Sequence, residues 1–188
     1  KVYMGLERKS KVISEEDKKT TAYHEGGHAL VARFLPHTDA VNKVTIIPRG
    51  RAAGVTWFLP EERDFKYKDQ LESELAVAFG GRVAEELVFN RISTGASNDI
   101  KQATELAQRM VRSWGMSDLG PLSYAKGEEQ VLLGREIAQH RDYSEETARR
   151  IDSEITKLIQ GAYQRARGVL EENLDVLHRL SELLLEKE

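Results

Sequence analysis

The sequence predicts a mainly α-helical domain with one small β-sheet and a C-terminal helical bundle. Three observations carry that prediction. Apolar residues recur at helical spacing over long segments, as in Leu71, Leu75, Phe79, Val83 and Leu87, which share one face at i, i+4 intervals. One neighbouring pair of runs, "VNKVTIIP" and "AAGVTWFLP", is rich in β-branched and aromatic residues and reads as two strands. Helix-start and helix-stop residues punctuate what remains, with Ser14, Pro36 and Ser144 the clearest.

Taken in order, residues 1–13, "KVYMGLERKSKVI", are basic and weakly patterned and read as a lead-in. "SEED" at 14–17 fits a capping box, with Ser14 as N-cap and Asp17 three residues on. It predicts a helix over 15–35, stopped by Pro36. The two strands follow, joined by "RGR" and closed by Pro60. A second helix is expected over 68–89 and a third over 98–113, between "TGAS" and Gly115. The segment 116–142 carries Gly120, Pro121, Gly127 and Gly134 with little periodicity. It reads as loop-rich, and its glycines suggest a gate or subunit contact. "SEET" starts a helix at Ser144 that runs towards Glu172, and a last amphipathic helix aligns Leu174, Leu177, Leu180 and Leu184.

Composition narrows the chemistry. The 188 residues suffice for one domain with a real core. A formal net charge of −3 gives no electrostatic case for nucleic acid as a partner. The absence of cysteine removes disulfides and thiolate metal ligands. No apolar run approaches the roughly 18 residues that span a bilayer, and no G-x-x-x-x-G-K-[ST] phosphate loop occurs.

Within the first helix lies "YHEGGHA", an H-E-x-x-H pattern. Residues four apart share a helical face, so His24 and His28 can present two imidazole nitrogens to one cation. Glu25 sits one step round, beside the metal rather than on it, as suits a general base. Tyr23, Leu30 and Phe34 form an adjacent apolar stripe that packs this helix. Gly26 and Gly27 each cost about 1 kcal/mol against alanine mid-helix, which points to another backbone coming close. A catalytic zinc needs a third protein ligand. The H-E-x-x-H-x-x-G-x-x-H extension is missing, because Val31 and Phe34 stand at its last two positions. His37, next to Pro36, stays open as a ligand, whereas His140 and His178 lie in a loop-rich region and a terminal helix. A downstream carboxylate fits better. Glu86 falls at the centre of the apolar face of the 68–89 helix, Glu85 at its edge, and Asp99 in the first turn of the third helix. The residues alone do not choose among these three.

"SEEDKKTTAYHEGGHALVA", "GGRVAEELVF" and "STGASNDIKQATELAQRMV", in this order, closely resemble the protease domain of the FtsH family of membrane-anchored AAA+ metalloproteases. The likeness runs from "GLERKSKVIS" to the last helix. It implies a zincin-type zinc endopeptidase over residues 14–188, with His24, His28 and Asp99 as metal ligands and Glu25 as catalytic base. Glu85 and Glu86 are left to orient a ligating imidazole or to pack. The family motif usually has alanine where this chain has Gly26. The resemblance further implies a parent protein with a transmembrane segment and an ATP-binding module before Lys1, residues 1–13 being the connection. It implies homo-hexameric rings, unfolded polypeptide substrates, and a protease domain facing the cytoplasm, or the matrix or stroma of an organelle. The strand "GVTWFLP" is expected near the site, where an edge could pair with an extended substrate.

Overall fold

The computed structural model describes residues 13–48, 52–124 and 143–187. The predicted lead-in, apart from Ile13, lies outside the described residues, as do the "RGR" link and positions 125–142 of the loop-rich segment. The elements run α1 (Glu15–Phe34), β1 (Ala40–Thr45), β2 (Val55–Leu59), α2 (Lys68–Phe89), a 3-10 turn (Thr94–Ala96), α3 (Ser97–Arg112), α4 (Glu145–Glu172) and α5 (Leu174–Lys187). This is the mainly helical domain with a small sheet that the sequence predicts.

Local chemistry sets the ends of α1. The Ser14 hydroxyl accepts the Asp17 backbone N–H at 3.1 Å, and Glu15, Glu16 and Asp17 place negative charge at the positive end of the helix dipole. Leu35, preceding Pro36, turns extended (φ −90°, ψ 145°) and ends the helix. The strands pair antiparallel, from Ala40 opposite Leu59 to Thr45 opposite Val55, with a bulge between Val41 and Lys43. They stop short of the predicted runs at Ile46–Pro48 and Ala52–Gly54, and the sheet rests against α1.

The core forms where α2 meets α1, α3 and α4, around Val31, Leu75, Val83, Met110 and Leu170. Helix α5 packs on α1 rather than extensively on α4, seating Leu177 in the same core. With neighbours on several sides, α1 is buried continuously from Thr21 to Ala32. A single apolar stripe therefore misdescribes it. Tyr23 and Leu30 are buried as expected, but Phe34, in the last turn, is 47% exposed.

Of the paired glycines, Gly27 is where two helix backbones touch. A Cβ on Gly27 would lie 2.2 Å from the Gly80 carbonyl oxygen, and one on Gly80 would lie 2.6 Å from the Gly27 oxygen. Gly26 faces the other way, towards Ser181 and Leu177 of α5, at ordinary or slightly tight distances.

Candidate metal centre

His24 and His28 stand one helical turn apart on α1, both largely buried, with their rings 4.7 Å apart and nearly perpendicular. Each ring is fixed through Nδ1. That of His28 lies 2.7 Å from the Val77 carbonyl oxygen, and that of His24 lies 2.7 Å from Oε1 of Glu85. A carbonyl and a carboxylate only accept, so both Nδ1 atoms carry the proton and donate. In the neutral rings the Nε2 atoms are then bare lone pairs. They face each other at 3.1 Å, and Oδ2 of Asp99 lies 3.3 Å and 3.6 Å from them.

Asp99 arrives by a folded route. Ser93 caps the 3-10 turn by accepting the Gly95 N–H at 3.1 Å, and α3 begins at Ser97 with Asp99 in its first turn. Glu85 joins the segments that carry His24 and Asp99, since its Oε1 meets His24 and its Oε2 accepts the Ser93 N–H at 3.0 Å. Across α2, Gly81 clears space for the metal-facing ring: a Cβ there would come within 2.5 Å of the His24 imidazole.

His24, His28 and Asp99 thus bring one ligand atom each within 4.8 Å of the others, the one such group among the described residues. Two imidazole nitrogens and one carboxylate oxygen, with the far side of each ring engaged elsewhere, form a donor set that fits zinc with one position left over. The electrostatics agree with cation binding. Burial opposes charge on His24, but hydrogen bonds to Asp99 and Glu85 outweigh it and push its pKa up to about 9. Burial also works against the charge on Asp99, yet the two histidines hold its carboxyl well below the usual range. At His24 a proton and a metal ion therefore compete for the same nitrogen.

Glu25 projects from the same helix towards β2. The Thr56 hydroxyl lies 2.7 Å from its Oε2 and 3.0 Å from its backbone oxygen. The sequence did not single out Thr56 or Gly81; a strand threonine and a helix glycine carry no pattern of their own.

Other candidates fall elsewhere. Glu86 is not at the centre of a buried face. It is about a third exposed, accepting from the Tyr163 hydroxyl and, at 3.1 Å, from Arg167 of α4. Glu85, read as the edge residue, is the buried one at 2% exposure. Helix α2 is covered by α1 and by α4 on different sides, so the one-residue step of about 100° moves a carboxylate from one interface to the other. His37 pairs with Asp69 at 3.4 Å on the surface, His178 meets the Tyr23 hydroxyl at 2.8 Å, and His140 lies outside the described residues.

Residues 11–188 match peptidase family M41. Proteins named ATP-dependent zinc metalloprotease FtsH are similar over the whole chain: 54% identical in Acidobacterium capsulatum and 55% in Magnetococcus marinus. The chain spans 30% and 28% of the length of those two relatives. A relative from Sphaerobacter thermophilus, named ATP-dependent zinc metalloprotease FtsH 1, is 56% identical over all of this chain and 29% of its own length. With a family match across nearly its full length, and a histidine pair meeting a carboxylate from a separate helix, the chain belongs to peptidase family M41, the protease family of the FtsH proteins.

Proposed function

We propose that residues 14–188 are the zinc endopeptidase domain of an ATP-dependent, membrane-anchored protease that degrades unfolded or misassembled proteins. The observation that carries this reading is the convergence of His24, His28 and Asp99 with Glu25 beside them. His24 and His28 bind through Nε2 and Asp99 through its carboxylate. Zinc, when bound, supplies a Lewis acid that polarises the scissile carbonyl and acidifies water at the site. Glu25 takes a proton as the water O–H bond breaks and the oxygen adds to the carbonyl carbon. It then gives that proton to the amine nitrogen as the C–N bond breaks. Glu85 and the Val77 carbonyl keep both imidazoles in the tautomer whose Nε2 is free. An extended substrate laid along β2 would pass Glu25, held by backbone hydrogen bonds with weak sequence preference.

The relatives are named ATP-dependent and are more than three times as long as this chain. That length leaves room for the AAA+ module and membrane anchor we read ahead of residues 1–13, in a parent we take to be a homo-hexamer with its protease domain in the cytoplasm, matrix or stroma. ATP enters only through that module.

Zinc content and hydrolysis of an unfolded protein, measured together, test the reading. Glu25→Gln is expected to keep its zinc and lose activity by at least about 100-fold. Asp99→Asn is expected to lose the metal. Full activity in Glu25→Gln removes the base assignment, and stoichiometric zinc in Asp99→Asn moves the third ligand elsewhere.

A further inference from the structure

We propose that Thr56 is a positioning residue for Glu25: its hydroxyl holds Oε2 of the carboxylate, so that Oε1 is the oxygen that receives the proton. The inference rests on Glu25 being the general base. A glutamate side chain has three rotatable bonds, and even in the buried setting of Glu25 a base that wanders by an ångström loses much of its advantage. The hydrogen bond at 2.7 Å restrains it.

The surroundings of Glu25 are built for this contact. Thr56 is the second residue of β2, and strand alternation sends its side chain to the face opposite those of Val55 and Trp57. Just before the strand, Gly54 lets the chain close on the stem of Glu25. A Cβ on Gly54 would fall 2.9 Å from Cγ of Glu25, 2.6 Å from Cγ2 of Thr21 and 2.8 Å from the Thr45 oxygen. Gly54 thus brings the backbone in, and Thr56 supplies the donor.

The threonine hydroxyl has one proton and two acceptors within reach, Oε2 and the Glu25 backbone oxygen at 3.0 Å. The backbone oxygen already serves the helix, whereas the carboxylate is charged and nearer. The proton therefore goes to Oε2, in a charge-assisted bond stronger than the alternative.

Two measurements test the assignment. In the zinc-loaded chain acting on an unstructured polypeptide, Thr56→Val is expected to lower kcat about tenfold with KM and zinc content unchanged. Thr56→Ser, which keeps the hydroxyl, should return kcat to within about threefold of the parent. A wild-type kcat in Thr56→Val, or a loss that serine does not restore, overturns the proposal while leaving Glu25 as base. Full activity in Glu25→Gln overturns both. Urea unfolding of the metal-free chain reads the bond itself. Thr56→Val and Glu25→Ala should be non-additive by about fivefold in the unfolding equilibrium constant. Strict additivity would place the hydroxyl on the backbone oxygen and overturn the proposal.

Discussion

Glu85 sits at 2% exposure, where an unpaired carboxylate would be very costly. Both of its oxygens are engaged, one by the His24 ring and one by the Ser93 N–H, and these contacts hold its pKa below the ordinary value despite burial. If His24 holds the metal as proposed, Glu85 orients that ligand, and Glu85→Gln should weaken zinc binding about tenfold without abolishing it. Competition with a chromogenic chelator measures this, and unchanged affinity would reduce Glu85 to packing. Single residues were legible in the sequence where spacing alone encodes geometry: His24, Glu25 and His28 follow from one helical turn. Glu85 and Glu86 are ranked the wrong way round by the sequence, because apolar periodicity locates one buried face and α2 has neighbours on more than one side. Asp99 became distinguishable through family resemblance, since an acidic residue in a helix's first turn is ordinary. Thr56 was invisible, for its partner lies 31 residues away in sequence.

Between elements, the α1–α2 crossing is set by Gly27 against Gly80 and the α1–α5 contact by Gly26 against Ser181 and Leu177. The two adjacent glycines should respond very differently. Gly27→Ala drives a methyl into backbone and is expected to destabilise by about 2–3 kcal/mol. Gly26→Ala meets only the ends of side chains and gains helix propensity, so it should stay within about 1 kcal/mol of the parent. Urea midpoints separate the two outcomes.

Helix α2 also binds α4 through Glu86. The Tyr163 hydroxyl, and with it the Arg167 guanidinium, lowers the Glu86 pKa below 4.5. The ionised form is favoured on folding, so this contribution is present above about pH 4.5 and is lost as pH falls further. Because the carboxylate is partly exposed, the effect is less than about 1 kcal/mol. Glu86→Gln should flatten that acid limb of the stability–pH curve and leave zinc affinity alone. Element boundaries were legible wherever a cap or a proline marks them, as at Ser14, Pro36 and Ser144. The 3-10 turn was not, because "STGA" takes its shape from a Ser93 hydroxyl and a distant carboxylate.

At the scale of the molecule, every side chain assigned to the site comes from α1, β2, α2 and the start of α3, while α4 packs on α1, α2 and α3 and α5 packs on α1. A cation held by α1 and α3 joins segments 71 residues apart, counting from His28 to Asp99. Binding to the folded chain alone stabilises it, by about 4 kcal/mol at a thousandfold excess of metal over Kd. Chelation should therefore lower the melting temperature of the parent chain and leave that of Asp99→Asn nearly unchanged; calorimetry with and without chelator decides. Among the described residues no helix is long and apolar enough to cross a membrane. The helical class with one hairpin was readable from periodicity, whereas the packing of α5 on α1 was not, since a leucine stripe does not name its partner.

Of the two glycines in "YHEGGHA", Gly27 has no room for a side chain, and it shares that constraint with two glycines of α2. At positions 27, 80 and 81 any side chain, even a methyl, collides with a helix backbone or an imidazole ring. In a library of all single substitutions these three columns should be nearly blank, while Gly26 accepts its small neighbours. The distance from the histidines to α2 is thus written in residues that have no side chain, and the tolerance of the site to change is decided by what cannot be added to it.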